Sequence, residues 1–181
     1  MRWVGIVVAA AVGGAFVMSG CAKDAGTSVG FGESVTVSRT SGTVGIAVLR
    51  IEKGETSDLD NVTSTDPSQP MSGKTPYYVR FRLTRTSSET STGTKFAAFA
   101  GDTRVPELNI SNDPFSVLQG GRRPDTGIFA KCTSPSNEDF GKLAQGQSLE
   151  GCTPFITPRG SAAPTRIQWT PYDGKVVATW Q

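Results

Sequence analysis

The chain has 181 residues, with 18 Lys and Arg against 16 Asp and Glu, a net charge of +2, 21 Gly, three Cys and no His. Without imidazole it cannot run Ser-His-Asp or Cys-His catalysis or hold a His-containing zinc site, since these need a group that shuttles protons or donates a neutral nitrogen near pH 7. Nearly balanced charge lacks the basic footprint of a nucleic-acid binder, so no nucleic-acid partner and no cofactor are expected.

Met1 and Arg2 give a short positive start, and residues 4–17 are apolar apart from glycines, which is the layout of an export signal. The run is shorter than the ~20 apolar residues of a spanning helix, and Gly5, Gly13 and Gly14 weaken it as a helix. Cleavage is therefore expected. The run ends in Met18-Ser19-Gly20-Cys21, which resembles the bacterial lipobox: an aliphatic residue, two small residues that let a peptidase close on the backbone, then the cysteine that becomes the new N-terminus. The resemblance implies that residues 1–20 are removed and that Cys21 carries a thioether-linked diacylglycerol. The alternative is an ordinary secretory signal with a chance cysteine. Cysteine arithmetic opposes it, because an exported chain with three cysteines leaves one unpaired unless Cys21 is lipidated. Two or more acyl chains hold a protein stably, so the mature chain is expected on the extracytoplasmic face of a cell membrane.

About 160 residues then remain, the size of one domain. Residues 21–42, with "AKDAGTSVGFGESVTVSRTSG" after Cys21, are rich in Gly, Ser and Thr and read as a flexible tether. Such a coil would span roughly 25 Å. Val35 and Val37 alternate and offer a competing reading, a first edge strand. The folded domain is placed at residues 43–181.

Strands and turns follow. "TVGIAVLRIEKG" alternates Val44, Ile46 and Val48, then shifts phase to Leu49 and Ile51, the pattern of a strand with a β-bulge. Residues 54–76 are polar with three prolines and read as a mobile surface loop. In "YYVRFRLTRT", Tyr77, Val79, Phe81 and Leu83 face one way and Tyr78, Arg80, Arg82 and Thr84 the other, a half-buried antiparallel strand. Shorter candidates are "KFAAFAG", "RVPELNI", "PFSVLQ", "GIFAKCT", "SLEGCTPFIT", "PTRIQWTP" and "GKVVATWQ", with a polar "QGGRRPDTG" loop at residues 119–127. One helical turn is offered by "SNEDFGKLAQ", capped by Ser136 or Asn137, with a loop as the alternative for so short a segment. Roughly 7–9 short strands between Gly, Pro, Asn and Ser turns predict an all-β antiparallel sandwich.

Cys132 and Cys152 lie at predicted strands. Export permits their oxidation, and closing a loop of that size is worth about 3 kcal/mol in the chain-entropy model. A redox pair would show close Cys-x-x-Cys spacing, which is missing, so a structural disulfide is expected.

"FGKLAQGQSLEGCTPFITPRGSAAPTRIQWTP" followed by "ATW" resembles the immunoglobulin-like domains of Gram-positive, especially actinobacterial, lipoproteins and secreted antigens. That group has the fold of the mycobacterial immunoprotective secreted antigen. Leu143, Gly146, Cys152, Pro154, Pro158, Ile167 and Trp169 fit its outline. Arg85-Thr86-Ser87 departs from it, standing where many members have Asn-x-Ser. The resemblance covers roughly residues 43–181 and implies an extracytoplasmic immunoglobulin-like sandwich. Its motifs mark the fold, and no site residues come with it.

Tyr78, Arg80 and Arg82 on one sheet face, with Arg122 and Arg123 in the later loop, form the candidate partner surface for an anionic glycan, lipid headgroup or acidic protein. The competing reading is an arginine ladder that keeps an exposed face soluble. Asp58, Asp60, Asn61 and Asp66 could offer oxygen ligands to calcium, but without the EF-hand order a solvated loop is expected. Two sequons, at Asn61 and Asn109, are expected to be unused behind a bacterial lipobox. Trp169, Trp180, Tyr77, Tyr78 and Tyr172 could line a sugar platform. Trp169 and Trp180 are expected in the core instead, and Tyr78 at the surface. No Gly-x-Ser-x-Gly or paired-carboxylate motif stands out, so no catalytic residue is named. The expectation is a lipid-anchored, non-catalytic binding or accessory module for an envelope protein or polymer. A small-ligand or metal-ion-binding lipoprotein is the alternative, and a histidine-free hydrolase a more distant one.

Overall fold

The computed structural model describes residues 26–39, 42–60, 71–88, 95–108, 132–170 and 176–181. Among them are nine strands: β1 (Thr27–Val29), β2 (Ser34–Arg39), β3 (Gly42–Lys53), β4 (Lys74–Arg85), β5 (Phe96–Ala100), β6 (Thr103–Val105), β7 (Ser148–Pro158), β8 (Arg166–Trp169) and β9 (Ala178–Trp180). They form two sheets, one ordered β1-β9-β8-β5-β6 and the other β2-β3-β4-β7. Every pairing is antiparallel except β1 with β9. The fold is the all-β sandwich that strand alternation predicts.

Two packed sheets need one apolar face each, and period-two alternation supplies it. Val44, Ile46 and Val48 of β3 and Val79, Phe81 and Leu83 of β4 meet Phe96, Ala98, Ile167, Trp169, Ala178 and Trp180 from the other sheet. The Phe81 and Phe96 rings join the layers at 4.9 Å between centroids. Trp169 and Trp180 are buried, as expected, and Trp180 Nε1 donates to the Glu33 carbonyl at 2.9 Å.

The phase shift in β3 is a bulge between Val48 and Arg50. One extra residue at Leu49 turns Ile51 back to the core side and puts Arg50 and Glu52 on the outer face. Helix α1 (Asn137–Gly141) is the anticipated single turn, with Ser136 Oγ accepting from Asp139 N at 3.0 Å and Phe140 fully buried. Arg85 fastens it. Its Nη1 donates to the carbonyls of Gly141, at 2.7 Å, and Leu143, satisfying groups that a helix end leaves unpaired.

The expected tether needs correction. Residues 27–29 and 34–39 belong to the sheets, so the reading of residues 21–42 as one flexible stretch fails there and the Val35/Val37 strand reading holds. Gly26 fixes the entry point: a Cβ on it would sit 2.3 Å from the Val177 carbonyl carbon, and Thr27 N donates to Val177 O at 2.9 Å. The start of the polar 54–76 segment is also packed. A 3-10 turn at Thr56–Leu59 lays Leu59 against Leu108 and Ile156. The proposed strands "PFSVLQ" and "GIFAKCT" lie wholly or largely outside the described residues, as do residues 119–127.

Candidate functional site

The outer face of the four-stranded sheet carries the charged side chains. Register sets Arg50 opposite Arg80 and Arg80 opposite Cys152, with Glu52 opposite Tyr78 in the next outward row. Two arginines directly across a strand pair repel. Glu52 resolves this: its Oε1 accepts from Arg50 Nε at 2.7 Å and its Oε2 from Arg80 Nε at 2.8 Å. The hydrogen bond from Arg80 is the main reason the Glu52 carboxyl titrates below its ordinary range, with Arg50 adding to it against the opposing effect of burial. Arg82 pairs with Glu150 on β7 at 2.9 Å.

Tyr78 departs from its expected exposure. It stands on the outward phase of β4 yet is only 4 % exposed, because the chain folds back over it from two sides. The Cys132–Cys152 disulfide, with Cα atoms 4.8 Å apart, packs on one side. The 3-10 turn closes the other, where Tyr78 OH donates to Asp58 Oδ2 at 2.8 Å and Glu55 N donates to the same oxygen at 3.1 Å. Burial first, then the bond to Asp58, raises the phenol far above its ordinary range, so it stays protonated and acts as a donor. Gly54 makes the turn possible. A Cβ there would lie 2.7 Å from Tyr78 Cε2 and 2.9 Å from Asp58 Oδ2, and Gly54 N is bonded to Pro76 O at 2.9 Å.

These groups line an open cleft of about 290 Å³, bounded by Glu52, Lys53, Gly54, Glu55, Asp58, Tyr78 and Arg80. Lys53 and Glu55 stand exposed at its rim, while half-buried Glu52 and Arg80 are bonded to each other and half-buried Asp58 to Tyr78. The cleft offers fixed donors and acceptors of both signs over an aromatic floor.

Of the candidate partner residues, Tyr78 and Arg80 line this cleft, while Arg82 lies further along β4, bonded to Glu150. Arg122 and Arg123 lie outside the described residues. Of the candidate calcium ligands, Asp58 is engaged with Tyr78, and Asn61 and Asp66 fall outside the described residues. Among the described residues no cluster of three or more His, Cys, Asp or Glu is arranged for a metal ion, and no helix there is long and apolar enough to cross a membrane. Sequence reasoning missed Glu52, Glu55 and Gly54. The bulge that turns Glu52 outward was legible, but the return of the 3-10 turn over Tyr78 was not, because its hold on Tyr78 is a contact across twenty residues of chain.

Two sheets packed face to face, one fastened on its outer side by a disulfide, define this chain as a β-sandwich protein. Its fold is similar to that of MPT63, a secreted protein of Mycobacterium tuberculosis, with 13% identity, coverage of 88% of this chain and 99% of that one, and a TM-score of 0.52. At that identity the likeness is one of fold, and it agrees with the sandwich that the C-terminal residues imply. A candidate lipoprotein of Staphylococcus aureus is a looser match, at 9% identity, 81% and 90% coverage and a TM-score of 0.36. No protein-family model and no curated protein sequence matches the chain.

Proposed function

We propose that the chain is a membrane-anchored extracytoplasmic lipoprotein whose sandwich acts as a non-catalytic binding or accessory module for an envelope protein or polymer, engaged at the cleft around Tyr78. One observation carries the reading: Glu52, Arg80, Asp58 and Tyr78 are held in place by mutual bonds across β3, β4 and the 3-10 turn before any partner arrives. A preformed site loses little side-chain freedom on binding, and charges of both signs set specificity and association rate.

Crosslinking with mass spectrometry on intact cells, comparing the native chain with Cys21→Ala, tests the reading. We expect a reproducible envelope partner with the native form that is lost in the variant, and weaker capture when Arg80 and Arg82 are both changed to Ala. Unchanged capture in the double variant would remove this face as the binding surface.

A further inference from the structure

The outer face of β3 and β4 holds arginines in two different charge settings. Arg82 meets a carboxylate of its own, Glu150 at 2.9 Å, a matched pair of the kind that keeps a sheet face soluble. Arg50 and Arg80 stand directly opposite each other and share Glu52, so a positive charge is left over between them. Like charges facing across a strand pair are destabilising, and a face that had only to stay soluble would gain nothing from this arrangement.

Glu52 also fixes how the two side chains are held. Each of its oxygens takes an Nε, at 2.7 Å from Arg50 and 2.8 Å from Arg80. A guanidinium presents its donors in a rigid planar fork, so bonding through Nε leaves the Nη edge of each arginine for another acceptor. Solvent reaches both side chains, Arg50 at 59% exposure and Arg80 at 28%. Arg80 and Glu52 line the cleft, where partial cover lowers the local dielectric and strengthens charged hydrogen bonds relative to open water.

We infer that the Nη edges of Arg50 and Arg80 form an oxyanion subsite at one end of the cleft, and that it takes a phosphodiester group of a hydroxylated, phosphate-linked polymer. The inference rests on the reading of this cleft as the binding site. A single guanidinium fork satisfies a planar carboxylate, whereas two adjacent forks suit a tetrahedral phosphate with oxygens to offer to each. A phosphodiester brings a single negative charge, matching the positive charge that Glu52 leaves over. A phosphate monoester brings roughly two, in excess of that charge and next to the carboxylates of Glu55 and Asp58. The same carboxylates oppose an anionic membrane surface, which is met by clusters of about 4–8 Lys and Arg. They suit a polymer whose phosphates are flanked by hydroxyls, because the exposed Glu55 carboxylate at the rim is an acceptor for such donors.

Isothermal titration of the chain from residue 21 onward, with Cys21→Ser, against a synthetic glycerol-phosphate oligomer tests the subsite, and NMR of the arginine Nε–H groups reads where the oligomer sits. We expect saturable binding that moves the Arg50 and Arg80 signals and leaves that of Arg82 in place. Arg50→Gln and Arg80→Gln should each weaken binding about tenfold or more, the worth of a hydrogen bond to a charged group, whereas Arg82→Gln should not. Arg80→Lys keeps the charge without the fork and should recover little of the loss. Arg50 is the more exposed of the two, so Arg50→Gln keeps the test open should an Arg80 variant fail to fold. Binding unchanged in the Gln variants, wild-type binding by Arg80→Lys, or binding of an oligouronate or of phosphatidylglycerol vesicles as tight as that of the oligomer would overturn the inference. If the oligomer fails while partner capture on cells still depends on this face, the phosphodiester falls and the binding reading stands; oligomer binding without any captured partner has the reverse meaning.

Discussion

At the scale of single residues, Tyr78 and Glu52 hold the cleft, and each has a measurable signature. Removing the Tyr78 hydroxyl leaves Asp58 without one of its donors in a covered site. Tyr78→Phe is expected to cost about 1–3 kcal/mol, as for a bond to a charged group, and urea denaturation of the two proteins measures it. Spectrophotometric titration should also show a tyrosine with delayed ionisation in the wild type that is missing from the variant, because burial and Asp58 hold the phenol protonated. Glu52 acts in the opposite direction. Its folded carboxyl lies below the ordinary value of 4.5, so its contribution to stability is complete above that value and is lost as pH falls through the lowered folded value. Wild type should therefore exceed Glu52→Gln in stability at pH 7, and the gap should close towards pH 3. A gap that stays constant would mean that the ion pairs with Arg50 and Arg80 contribute nothing.

At the scale of elements, the disulfide joins the approach to α1 with the middle of β7 and covers Tyr78. The Cys132→Ser, Cys152→Ser double variant is expected to lose about 3 kcal/mol, seen as a lower melting temperature that the wild type also shows in reductant. Part of that loss should appear as greater exposure of Tyr78, read by fluorescence quenching. Much at this scale was legible in advance. The β3 bulge showed as a phase shift from Val48 to Leu49 and Ile51, and α1 as a turn with Ser136 or Asn137 as its cap, of which the structure uses Ser136. Both are local, and local backbone chemistry is written in neighbouring residues. The role of Arg85 was not legible, because its partners at Gly141 and Leu143 are more than fifty residues away. The departure from Asn-x-Ser at this position thus coincides with a side chain that caps a helix.

At the scale of the whole molecule, the folded domain begins earlier than composition implied. β1 and β2 supply Val29, Val35 and Val37 to the core, and Glu33, between them, offers its carbonyl to the Trp180 indole. A chain beginning at Thr43 should lose cooperative unfolding, whereas one beginning at Gly26 should keep it; calorimetry of the two distinguishes the boundaries. Alternation of Val, Ile, Phe and Leu with polar residues determined by itself that the chain forms strands with one apolar face, and hence a sandwich with Trp169 and Trp180 inside. An odd count of three cysteines, with Cys21 read as lipidated, likewise pointed to Cys132 and Cys152 as the bonded pair. Only tertiary structure decided that Tyr78 is covered, that Glu52 joins two arginines and that residues 27–29 and 34–39 are strand and not tether. Burial of an outward residue depends on what folds back over it, and pairing of a weak strand on the neighbour that accepts its hydrogen bonds, and neither neighbour is adjacent in sequence.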